Sequence, residues 1–167
     1  MTRTTARTLA VVLALALPLN APAQGATDAP PDADSDVDTP DPGAPVLQIL
    51  PADGVEIDDF MWRNRLVVVF ADSPADPRFT DQMEMLRARP SELIERDVIV
   101  VTDTDPDARS DVRRTLRPRG FQVTLIGKDG EVELRKPSPW SSRELSRSID
   151  KMPLRQQEIR EQKARAG

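Results

Sequence analysis

Asp72, Ser73, Asp76 and Arg78 crowd into one short stretch of the chain. Carboxylates beside a hydroxyl and a guanidinium suit a small polar or anionic ligand. The stretch directly follows the apolar run Leu66–Ala71, and in open α/β sheets ligands bind just beyond the carboxyl ends of strands. The same residues also read as a capped, solvated loop, with Asp76 as N-cap and Pro77 in the first helical position. A second group, Asp103, Asp105 and Asp107, has the alternate spacing of a calcium loop. Such a loop also needs Gly at its sixth position and Glu at its twelfth. Here those are Ala108 and Arg114, so no metal site is expected. Arg65, Arg96 and Arg119 flank strands and could gather as an anion site, because guanidinium grips carboxylate or phosphate in two places. Pairing with the domain's own acids is the simpler expectation.

The missing residue types narrow the chemistry. The chain has no Cys, no His and no Tyr. That removes the thiol nucleophile, the Ser-His-Asp triad, the imidazole base and the histidine-ligated metal. Carboxylates, Lys, Ser and Arg remain. An enzyme built on this chain would be of carboxylate-based or metal-assisted type, using Asp72, Asp76 or Asp103. The competing expectation is a binding module for a protein or a small anionic ligand, with no cofactor. A net charge of −5 and no clustered basic stretch argue against nucleic acid.

The elements that must position these residues follow from periodicity. Leu66–Ala71 and Val98–Val101 are continuous apolar runs, the pattern of parallel strands buried on both faces. Phe79, Met83 and Leu86 recur at helical spacing after Asp76-Pro77, and Pro90 ends that helix. Ala108, Val112 and Leu116 give a second stripe after Asp105-Pro106. Phe121–Ile126 and Glu131–Arg135 flank Asp129-Gly130, a hairpin turn signal, with Val132 and Leu134 expected inward. Ser141 and Glu144 form a capping box, with Trp140 and Leu145 as its hydrophobic staple. Trp62 and Trp140 read as core or staple residues. Val46–Leu50 is a candidate edge strand. The order predicts an α/β domain: a four- to five-stranded mixed sheet with helices on both faces, the thioredoxin-like arrangement.

Around this domain, expected over 46–152, lie two flanks. Residues 1–23 read as a secretory signal peptide, with Arg3 and Arg7 ahead of the apolar run Leu9–Leu17 and Ala21-Pro22-Ala23 as the cleavage signal. The mature chain would begin at Gln24 and would be periplasmic or secreted, without stable membrane insertion. Residues 24–45 are rich in Pro, Ala and Asp and read as a disordered acidic spacer. Residues 153–167 read as a charged tail, in part a frayed helix with Glu161 and Arg165 paired.

Several segments together resemble one family. These are Trp62-x-x-Arg65 with Leu66–Phe70, Arg96-Asp97-Val98, Leu125–Gly130, and Ile149-Asp150-x-Met152-Pro153-x-Arg155. In that order they are similar to the secreted bacterial family carrying the DUDES-type domain of unknown function 4174, whose animal relatives are the sushi-repeat-containing proteins. The resemblance spans residues 46–160 and implies a thioredoxin-like or peroxiredoxin-like fold. Thioredoxin chemistry would need a Cys pair after the first main strand, where this chain has Ala71-Asp72-Ser73-Pro74-Ala75-Asp76. The cis-proline position of thioredoxins falls near Gln122, which is not Pro. The expectation is therefore a redox-inactive scaffold.

Overall fold

The computed structural model of the protein describes residues 45–167. The expected signal peptide and almost all of the expected spacer lie outside the described residues.

At the centre of the sheet is β2 (Arg65–Phe70), buried along its whole length. Its neighbour β3 (Val98–Asp103) runs parallel, with Leu66 opposite Ile99 and Phe70 opposite Asp103. Outside β3 lies the short parallel strand β1 (Ile49–Pro51). On the other side β4 (Gln122–Ile126) is antiparallel to β2, and β5 (Val132–Lys136) is antiparallel to β4. The order is β1-β3-β2-β4-β5. Val67, Val69, Val123 and Leu125 face one side. There they meet α1 (Pro77–Ala88), α2 (Pro90–Ile94) and α4 (Ser142–Ile149) through Met83, Leu86, Leu93, Leu145 and Ile149. Leu66, Val68, Phe70, Ile99 and Val101 face the other side, against α3 (Asp111–Leu116) and the 3-10 turn Ile57–Phe60. Each fully buried aliphatic or aromatic side chain contributes about 1.5–3 kcal/mol by leaving water. Both faces are covered, as the continuous apolar runs require. Strand order and helix placement make this a thioredoxin-like α/β fold. Among the described residues no helix is long and apolar enough to cross a membrane.

Several details depart from expectation for identifiable reasons. Val132 is 37% exposed rather than inward. A register shift between Leu125 and Ile126 places Leu134 opposite Leu125 but Val132 opposite Ile126, so the extra residue turns Val132 out of the core. Ala108 is exposed and lies outside α3. The Asp105 carboxylate accepts the Asp107 and Ala108 N–H groups at 3.0 and 3.4 Å, which closes only the 3-10 turn Pro106–Ala108. Arg109 then turns left-handed and Ser110 starts the helix afresh, its hydroxyl accepting the Arg113 N–H at 3.1 Å. Pro153 opens a new helix, α5 (Pro153–Ala166). Its outer half carries the Glu161–Arg165 pair at 3.9 Å. Its inner half is docked, with Arg155 buried.

Candidate functional site

The loop from Ala71 to Asp76 leaves the carboxyl end of β2 and feeds α1, where a thiol pair would sit in a redox-active relative of this fold. Here the loop is closed upon itself. The Asp76 carboxylate accepts the Arg78 backbone N–H at 2.9 Å and the Arg78 guanidinium at 3.1 and 2.7 Å. The hydrogen bond from Arg78 is the main reason that the Asp76 pKa lies below its ordinary value, and the same bond raises that of Arg78. The Arg78 guanidinium also lies over the Phe121 ring, 5.2 Å from its centroid. Phe121 immediately precedes β4 and is almost fully buried. The Ser73 hydroxyl accepts the Ala75 N–H at 3.1 Å. Asp72 is exposed, and Arg113 approaches it only to 3.9 Å. The structure thus brings Asp76, Arg78 and Phe121 together, while Asp72 and Ser73 stand beside them with outward freedom.

Behind this loop lies a second closed cluster. Asp103, at the end of β3, is buried. Its Oδ1 accepts Arg113 Nε and Nη2 at 3.0 and 2.8 Å, and its Oδ2 accepts the Ser110 hydroxyl at 2.5 Å. Arg113 further donates to the Ala71 carbonyl at 2.9 Å and stacks over Phe70. The three alternate aspartates therefore do not converge: Asp103 turns to Arg113 and Asp105 caps its turn. Among the described residues no three acids are placed to share a metal ion. Sequence reasoning missed Arg113, because nothing local marks an arginine one position after a buried Val112.

The three arginines separate. Arg65 and Arg96 meet at the opposite end of β2, whereas Arg119 is exposed on the loop ahead of β4, beyond the Phe70 end. Arg65 is fully buried; it donates to the Arg96 carbonyl and to Glu158, both at 3.0 Å. Arg96 holds Asp150 in two bonds of 2.9 and 2.8 Å, which raises its own pKa and lowers that of Asp150. The expected three-arginine anion site is not assembled. Two of its members serve the domain's own acids. Glu158 of α5 is the hub, since Lys128 and Arg155 also reach it at 3.0 Å. It was missed because its main partner, Arg65, lies 93 residues earlier.

Trp62 is another correction. It is 68% exposed, not a core residue. Its backbone is left-handed, with φ of 63°, and its N–H donates to the Lys128 carbonyl at 2.6 Å. The ring stands at a cavity of about 630 Å³ between the β4–β5 turn and α5. A smaller hollow of about 400 Å³ lies beyond the ends of β1 and β3. Trp140, by contrast, is half-buried, fixed by reciprocal 2.8 Å bonds with the buried Gln82 and covered by Lys136 at 4.2 Å.

The chain is similar to several solved structures and to one protein family. The chloroplastic thioredoxin z structure is 20% identical, covers 64% of this chain and 95% of its own, and superposes with a TM-score of 0.49. A Plasmodium vivax 2-Cys peroxiredoxin, in its reduced form, is 13% identical, with 57% and 81% covered and a TM-score of 0.48. The exposed lipoprotein thioredoxin of Streptococcus pneumoniae strain TIGR4 is 12% identical, with 64% and 97% covered and a TM-score of 0.47. Residues 56–158, most of the described domain, match a family described as a domain of unknown function, and on that match the chain belongs to the DUF4174 family.

Proposed function

We propose that this chain is an exported, redox-inactive thioredoxin-like domain that serves as an interaction module for a partner protein. The observation that carries the reading is the closure of the α1 edge. Asp76, Arg78, Asp103 and Arg113 are committed to one another there, while the open cavity at the other end of the sheet presents an exposed Trp62. Without any cysteine the chain has no thiolate to attack sulfur. Asp76 and Asp103, two of the three carboxylates an enzyme of this chain would use, are held by arginines, which disfavours a free general base. Export is supported by Arg3, Arg7, the apolar run Leu9–Leu17 and Ala21-Pro22-Ala23. A small anion at Ser73 and Arg78 is the weaker reading, because it would have to displace Asp76 from the guanidinium.

The test is photo-crosslinking in producing cells. A photoreactive residue replaces Arg160 at the cavity or Arg78 at the α1 edge. Discrete protein adducts from position 160 and none from 78 support the reading. Adducts from 78 alone move the interaction to the α1 edge, and adducts from neither remove it. Intact-mass measurement of the exported chain should give a species beginning at Gln24, and an insulin-reduction assay should give no turnover above reductant alone.

A further inference from the structure

We propose that the cavity beside Trp62 takes a cationic segment of the partner, with an Arg or Lys side chain laid on the indole and met by Glu131 and Glu133. This rests on the interaction reading above and names its chemistry. Trp62 is the first reason. A bulky residue in left-handed backbone is strained, and here it keeps a large aromatic face in water. Trp is the aromatic side chain that attracts cations best.

Charge is the second reason. The inner cations of the cavity are already matched, Arg65 by Glu158 and Lys128 by Asp97 and Glu158. Among the described residues Asp129, Glu131 and Glu133 form no ion pair, although all three line the cavity. A methyl group on Gly127 would collide with Asp129 Oδ1 and lie 3.4 Å from Glu133 Oε1, so these two carboxylates close over the same backbone atom. Against them the cavity wall offers one unpaired cation, Arg160, on α5. Met152 and Leu154 give an apolar floor that suits the methylene stem of Lys or Arg. The surface is thus complementary to a positive side chain with an apolar shaft.

The experiment uses the full chain carrying Trp140→Phe, so that fluorescence reports Trp62, with calorimetry for the other variants. The probes are tetra-arginine, tetra-glutamate and tetra-serine peptides. Tetra-arginine should bind saturably below 1 mM, about tenfold more weakly at 0.5 M salt than at 50 mM. Glu131→Gln with Glu133→Gln should weaken it roughly tenfold. Trp62→Gly should abolish binding while melting close to the parent, because the steric strain that glycine relieves in the left-handed conformation offsets the entropy it loses on folding; that separates recognition from folding. A preference for tetra-glutamate, or tetra-arginine binding that survives the double glutamine variant, overturns the cationic assignment and leaves the interaction reading standing. No response to any peptide at 1 mM also overturns it, and the crosslinks from position 160 then decide the broader reading separately.

Discussion

Burial alone would raise the pKa of Glu158, but hydrogen bonds from Arg65, Lys128 and Arg155 outweigh it and hold the carboxyl at about 2 instead of 4.5. A group whose folded pKa lies below its unfolded value stabilises the fold above the unfolded value. That contribution drains away as the pH falls from 4.5 towards 2. The shift corresponds to roughly 3 kcal/mol, and because a fifth of the side chain remains in solvent about 2 kcal/mol is the better figure. Glu158→Gln should therefore lower the melting temperature at pH 7 by about 5–10 °C. Below pH 2 the two proteins should converge. Melting curves that stay parallel from pH 7 to pH 2 would show that Glu158 is not the titrating support. Asp76 and Asp150 titrate in the same direction, each held down chiefly by its arginine, so the variant should keep part of its acid sensitivity.

At the scale of elements, α5 is a helix fastened by charge. Its outer residues are exposed and its buried anchor is Arg155. Ending the chain after Met152 should leave Arg65 buried without its carboxylate and cost about 3–5 kcal/mol. Ending it after Glu161 should cost less than about 0.5 kcal/mol. Urea denaturation of the two truncations measures the difference; equal losses would mean that the helix end matters more than Glu158. What was legible in the sequence was local. The capping box of Ser141 and Glu144 stands as written, because its partners are three residues apart. Asp76-Pro77 opens α1 for the same reason. The runs at Leu66 and Val98 became central strands because nothing but burial suits them. Illegible were features set by distant chain. Val132 turns outward through a bulge decided by its pairing with β4. Trp62 reads as core in any apolar window, yet the Lys128 carbonyl pins its backbone so that the ring faces water. Of the candidate site, the loop from Asp72 to Arg78 was legible as a position. The engagement of Asp103 with Arg113, which closes the cluster behind it, was not.

For the whole molecule, both apolar clusters are completed between Leu47 and Met152, one on each side of the sheet. A chain begun at Pro45 should therefore melt within about 2 °C of one begun at Gln24. A loss of many degrees would mean that the acidic stretch adds contacts to the domain. This chain carries the architecture without a cysteine, so stability has to come from packing and from the charge cluster around Glu158 rather than from a disulfide. That cluster also governs timing. Arg65 begins the central strand, and the carboxylate that neutralises it follows 93 residues later. Until Glu158 docks, the buried guanidinium lacks its counter-ion. A contact of that range is costly to close, so the docking of α5 is expected to come late in folding, on a sheet already packed on both faces.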